Sequence, residues 1–121
     1  MILNKESLAL AKELLAVDLH LMIVNDPQVR NFSATYCRLS DRRGQFEYNL
    51  RTLGRRWFEL PPTDEGMLRL IIHEFGHQWS GDHLSSSYHE GLCRVGARLA
   101  KLLVNNPEFF APFEPRAPVQ A

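Results

Sequence analysis

Four of the five histidines in the chain fall between positions 73 and 89, in the stretch IIHEFGHQWSGDHLSSSYHEG, with Glu74 and Asp82 among them. His73 and His77 are four residues apart, so on a helix both imidazoles project from one face about one turn apart. That separation suits two ligands of a single tetrahedral ion. Glu74 stands beside them without competing for the same position. In this H-E-x-x-H arrangement two histidines bind zinc and the glutamate takes a proton from the water that the metal activates. The competing interpretation, two unrelated histidines on a helix with no metal, requires three uncommon residue types to meet at that spacing by coincidence.

A hydrolytic zinc carries three protein ligands and keeps a fourth position for water. Asp82, His83, His89 and Glu90 are the candidates for the third ligand. Gly81 lets the chain leave the helix and bend back, which favours His83. His89 and Glu90 would sit a turn or more into a following helix, which could run antiparallel to the metal helix and reach the ion instead. Were His83 and one of these two both to coordinate, the ion would be closed to water. The domain would then be a zinc-stabilised, non-catalytic protein-binding module, which is the alternative to a hydrolase. Asp82 otherwise reads as an acceptor that orients an imidazole, or as a turn residue. His89 and Tyr88 could each donate to a transition-state oxyanion, or else lie on a solvated helix face and in the core respectively. His20, remote and beside an apolar stretch, reads as structural.

The elements that must position these residues form an α+β pattern. Asn4 is a candidate cap, and Leu8, Ala11, Leu15 and Leu19 recur at helical spacing, predicting an N-terminal helix over 4–19. HLMIVND reads as a short strand ending at Asp26-Pro27. SATYCRL and QFEYNLRTL flank DRRG, whose Asp41 and Gly44 suit a tight turn, so a β-hairpin follows. Leu60-Pro61-Pro62-Thr63 breaks the chain, with Thr63 as N-cap and Asp64 and Glu65 at the positive end of the next helix. That helix carries HEFGH, and its broad apolar surface of Met67, Leu68, Leu70, Ile71, Ile72, Phe75 and Trp79 predicts burial. A last helix begins near Ser85 or Ser86, with Leu92, Val95, Leu99 and Leu103 inward and Arg94, Arg98 and Lys101 outward. The reading is one domain over 1–105 and a Pro/Phe-rich tail over 106–121, whose Phe109, Phe110 and Phe113 either pack back or wait for a partner.

HEFGHQWSGDH resembles the active helix and turn of zincin metallopeptidases, and the order helix, sheet with hairpin, metal helix, packing helix resembles a minimal zincin domain. The spacing H-E-x-x-H-x-x-x-G-x-H, with an aromatic shortly after, is most similar to the WLM and SprT-like group. This implies His73, His77 and His83 as ligands of one zinc ion and Glu74 as general base. The chain departs from the metzincin pattern, which has glycine at Ser80 and a methionine turn downstream, whereas Met67 is the last methionine here. It also carries Asp82 where a proline or glycine is common in the WLM and SprT-like pattern, and Tyr88 one residue later than the usual aromatic. The resemblance further implies a peptide or protein substrate, paired in extended form with a sheet edge at 33–39 or 45–53.

Composition removes other classes. A chain of 121 residues, 45% hydrophobic, builds a single core. Fourteen basic and fourteen acidic residues balance, leaving no overall field toward nucleic acid or anionic lipid. Arg42, Arg43, Arg51, Arg55 and Arg56 near the hairpin could touch phosphates, and a solvated turn surface explains them equally well. Cys37 and Cys93 stand far apart in no CxxC arrangement, which points to a reducing, cytoplasmic setting without disulfides. Lys5, Glu6, Lys12, Glu13 and Asp18 interrupt any N-terminal run long enough for a signal peptide or membrane span. Membership in a larger parent protein is compatible with all of this.

Overall fold

Leu10, Ala11, Leu14 and Leu15 recur at helical spacing and bury one stripe of α1 (Lys5–Leu15) against the core. The structure, a computed structural model, describes residues 5–25 and 33–114. The cap expected at Asn4 and the strand end at Asp26-Pro27 lie outside these. Helix α1 stops short of the sequence expectation because Ala16 takes a φ of 57°. The amides of Ala16 and Val17 then donate to the carbonyls of Lys12 and Ala11 at 3.1 and 3.3 Å, closing the helix. Leu19, expected on the helix face, belongs instead to β1 (Asp18–Val24), where Leu19, Leu21 and Ile23 pack on the core. His20 is exposed.

β2 (Ala34–Ser40) and β3 (Arg43–Asn49) form the hairpin, joined through Asp41 and Arg42, with Ser40 opposite Arg43. β1 runs parallel to β3 on its other side, giving the order β1-β3-β2. β3 is therefore central, and of the two segments considered as a peptide-pairing edge only 33–39 has one left unpaired among the described residues. Gly44 lies in the strand rather than in the turn, and the ring of Tyr36 crosses it. A Cβ there would come within 2.5 Å of the Tyr36 hydroxyl. Residues 50–53, expected to extend the strand, form the single-turn helix α2 (Leu50–Leu53), whose Arg51 amide donates to the Asn49 side chain at 3.1 Å. A local side-chain cap here outweighs the alternation of the sequence. The arginines near the hairpin separate into two exposed groups: Arg42 and Arg43 at the turn, and Arg51, Arg55 and Arg56 beyond the far end of a seven-residue strand, about 20 Å away.

α3 (Glu65–Phe75) starts at Asp64 rather than Thr63, since the Asp64 carboxylate accepts from the Met67 amide at 3.0 Å. Met67, Ile71 and Phe75 are buried. Phe75 meets Tyr36 and Phe46 edge-on with centroids 5.8 Å apart in each case, which seats α3 on the inner face of the sheet. The helix tightens into a 3₁₀ turn at Gly76–Gln78, and α4 (Ser86–Asn105) begins with Ser85 accepting from the Tyr88 amide at 3.1 Å. Two glycines let α4 approach the end of α3. A Cβ on Gly76 would come within 2.9 Å of Leu92 and Tyr88, and one on Gly91 within 2.9 Å of the Gly76 carbonyl and Trp79. Val95 and Leu99 complete the core from α4, and Phe110 returns to it with Phe109 and Phe113 packed alongside. The architecture is α+β, four helices on one small mixed sheet. Among the described residues no helix is long and apolar enough to cross a membrane.

Candidate metal centre

His73 projects from the last turn of α3, His77 from the 3₁₀ turn that continues it, and His83 from the loop that follows Gly81. One ligand nitrogen from each lies within 4.8 Å of the other two, and Nε2 of His73 is 3.1 Å from Nε2 of His83. Two imidazole nitrogens on one tetrahedral ion, each about 2.0–2.1 Å from it, stand about 3.3 Å apart. The trio thus has the donor chemistry and the spacing of a ligand set, and its residues lie close enough to hold one metal ion. His89 and Glu90 are not part of it. They are exposed on α4 and border a separate surface depression with Cys93 and Arg94.

The surroundings orient the rings. With the proton on Nδ1, His77 donates to the Ser80 carbonyl at 2.9 Å, which leaves Nε2 with its lone pair for a metal. Burial, then the proximity of His83 and His77, pushes the His73 imidazole down from its ordinary value and favours the neutral, ligating form. Ser80 Oγ accepts from the Asp82 amide at 3.1 Å, and Asp82 Oδ1 accepts from the Leu84 amide at 2.9 Å. Asp82 therefore shapes the loop that delivers His83, and the orienting role considered for it at an imidazole is filled at His77 by a backbone carbonyl. Tyr88, 4% exposed, donates its hydroxyl to the His73 carbonyl at 2.8 Å and lays its ring against His77, centroids 4.7 Å apart. It buttresses the trio, with its hydroxyl already engaged by backbone.

Glu74 is 7% exposed between the trio and the edge strand. Its Oε1 accepts from the Tyr36 amide at 3.1 Å, and its Oε2 lies 3.6 Å from Nε2 of His73. Burial pushes its carboxyl up to about 7, opposed by the Tyr36 amide, which favours the ionised form. The Tyr36 hydroxyl in turn donates to Gln78 Oε1, tying the same strand to the residue after His77. Neither Tyr36 nor Gln78 stood out in the sequence. The alternation of Ala34 and Tyr36 was a sign that the tyrosine points inward, but nothing marked Gln78 as its partner. Between β2 and α3 runs a cleft of ≈ 1000 Å³, floored by Glu74 and the trio and walled by residues 33–38. No protein family, curated protein or solved structure matches the chain.

Proposed function

We propose that the chain is a zinc-dependent endopeptidase of the minimal zincin type, similar to the WLM and SprT-like group, with His73, His77 and His83 as ligands and Glu74 as general base. One observation carries this reading: the buried carboxylate of Glu74 brings Oε2 to 3.6 Å from Nε2 of His73, one of three converging imidazoles, while a strand edge unpaired among the described residues runs beside them. Zinc in such a trio polarises a carbonyl and acidifies water. The protein does the rest. The edge of β2 aligns an extended peptide by backbone pairing. Glu74, held at Oε1 by the Tyr36 amide, takes at Oε2 the proton released as water adds to the carbonyl carbon. It then passes that proton to the departing amine as the C–N bond breaks. Zinc is preferred among divalent ions because a set of three imidazole nitrogens would suit it.

The closed, purely structural site needs a fourth protein ligand. The trio instead opens on the cleft, with His73 and His83 exposed and His77 half-buried, and the helix residues weighed for that fourth place lie elsewhere. The free, exposed thiols of Cys37 and Cys93 favour a cytoplasmic setting. The test is Glu74→Gln. It should retain one zinc per chain and lose about 10²–10⁴-fold in peptide hydrolysis. A variant that holds zinc and cleaves as well as the parent protein refutes the mechanism.

A further inference from the structure

The charges around the cleft narrow its substrate class. Its charged side chains, histidines apart, are Glu74, Arg38 and Arg69. Glu74 is buried against the Tyr36 amide, and Arg38 is paired with Asp41. Arg69 is exposed, and among the described residues it joins no ion pair; Glu65, four positions earlier on the same helix, does not reach it. Among the described residues, the cleft therefore presents one guanidinium outside any ion pair to whatever enters.

Its position along α3 fixes where that guanidinium acts. Arg69 precedes His73 by four residues, so it occupies the same helix face about 6 Å along the axis. An extended peptide advances about 3.3 Å per residue, so a carboxylate bound at Arg69 belongs to a position about two or three residues from the bond lying over the histidines. Gly66, the preceding residue on that face and also part of the cleft wall, has no side chain to cover the approach. The planar fork of arginine matches a carboxylate with two parallel N–H donors, a stronger and more directional contact than a point charge makes.

We infer that Arg69 makes this cleft selective for peptides that carry a carboxylate about two or three residues from the bond presented to the His73, His77 and His83 trio. The inference rests on the peptidase reading of the site. The carboxylate has two sources, an aspartate or glutamate side chain or the peptide's own C-terminus, and end-capped substrates separate them.

The experiment uses the zinc-loaded full chain and a mixture of peptides of random sequence with both ends blocked, cleavage sites being read by mass spectrometry. Sites with aspartate or glutamate at the specified distance should be enriched about tenfold over neutral ones. Arg69→Leu should abolish the enrichment while still cleaving neutral peptides, and Arg69→Glu should reverse it toward lysine and arginine. Enrichment seen only with unblocked C-termini assigns the contact to the terminal carboxylate. Equal cleavage of acidic and neutral peptides by the parent protein, blocked or unblocked, overturns the inference and leaves the peptidase reading standing. If no peptide is cleaved, fluorescence anisotropy with an acidic and a neutral labelled peptide decides the matter on Glu74→Gln. Acidic binding about tenfold tighter, weakened by salt and lost in Arg69→Glu, sustains the inference while the hydrolase reading falls. Binding indifferent to Arg69→Glu overturns it.

Discussion

The amide of Tyr36 donates to Oε1 of Glu74 at 3.1 Å, so the edge strand and the carboxylate beside the histidines are joined directly. Removing the acceptor leaves a buried N–H without a partner, at a cost of about 1–3 kcal/mol. Glu74→Gln keeps a carbonyl oxygen there and avoids most of that cost. Both variants should lose hydrolysis, but in urea unfolding Glu74→Ala should be less stable than Glu74→Gln by about 1–2 kcal/mol. Equal stabilities would mean that this hydrogen bond does not hold the strand to the helix.

Each member of the trio should matter to metal binding about equally, since all three nitrogens lie within 4.8 Å of one another. His73→Ala, His77→Ala and His83→Ala should each weaken zinc binding by about 100-fold or more in competition titrations, whereas His89→Ala and Glu90→Ala should leave it unchanged. Chelation should lower the midpoint of unfolding, because an ion present at about 100 times its dissociation constant adds about 2.7 kcal/mol to the folded state. Wild-type affinity in His83→Ala would break the trio.

Local chemistry explains which parts of this arrangement were legible in the sequence. The i, i+4 histidines and the glycine that turns the chain back both act within a few residues, so their spacing alone brought His83 into view. The helix starts near 65 and near 86 were legible for the same reason, through the break at Pro61-Pro62 and the serines at 85 and 86, although the first cap is Asp64 and not the Thr63 that the sequence suggested. The end of α1 was hidden because an alanine, not a glycine, takes the left-handed conformation at position 16. The strand end at Asn49 was hidden because apolar alternation continues through Leu50 into a segment that a side-chain cap turns into helix. Contacts that depend on distant elements, such as Tyr36 with Gln78 and Tyr88 with the His73 carbonyl, leave no local pattern.

Tyr88 offers a way to separate a buttress from a group that acts on the substrate. Its hydroxyl donates to the His73 carbonyl at 2.8 Å, and its ring stacks on His77. Tyr88→Phe keeps the ring and loses the donor. It should cost about 1 kcal/mol of stability and weaken zinc binding about tenfold, with kcat of the zinc-saturated variant close to that of the parent protein. A fall of about 10²-fold in kcat with zinc affinity intact would instead make the hydroxyl a transition-state donor.

The crossing of α3 and α4 depends on two absent side chains. Gly91→Ala places a Cβ within 2.9 Å of the Gly76 carbonyl oxygen and Gly76→Ala one within 2.9 Å of the Leu92 and Tyr88 side chains, and each should destabilise by about 1–3 kcal/mol, the backbone clash at Gly91 more. Gly76→Ala should also weaken zinc binding, because the atoms it strikes belong to Tyr88 and Leu92. Gly96, in the same helix α4, has open space around it, and Gly96→Ala should stabilise by about 0.5–1 kcal/mol. Thermal unfolding of the three variants checks both signs. If all three moved together, helix propensity alone would be at work.

Buried phenols should weaken the fold at alkaline pH, Tyr36 and Tyr48 more than Tyr88, which burial also raises. Burial pushes the Tyr36 hydroxyl up to about 12, and the almost wholly enclosed Tyr48 hydroxyl is raised further by the same cause. Below the ordinary phenol value of about 10 both are neutral in the folded and the unfolded chain, and they contribute no pH dependence. Between about 10 and 12 the unfolded chain loses these protons while the folded chain keeps them, so the folded state binds more protons and stability falls as pH rises. For Tyr36 the loss should come to about 1–2 kcal/mol once solvent screening is allowed for, and Tyr48 should add to it. Tyr36→Phe removes one of these ionisations, so its stability should fall less steeply from pH 9 to pH 11 in urea titrations, even though it forfeits the bond to Gln78. A slope unchanged in Tyr36→Phe would mean that the alkaline loss originates elsewhere.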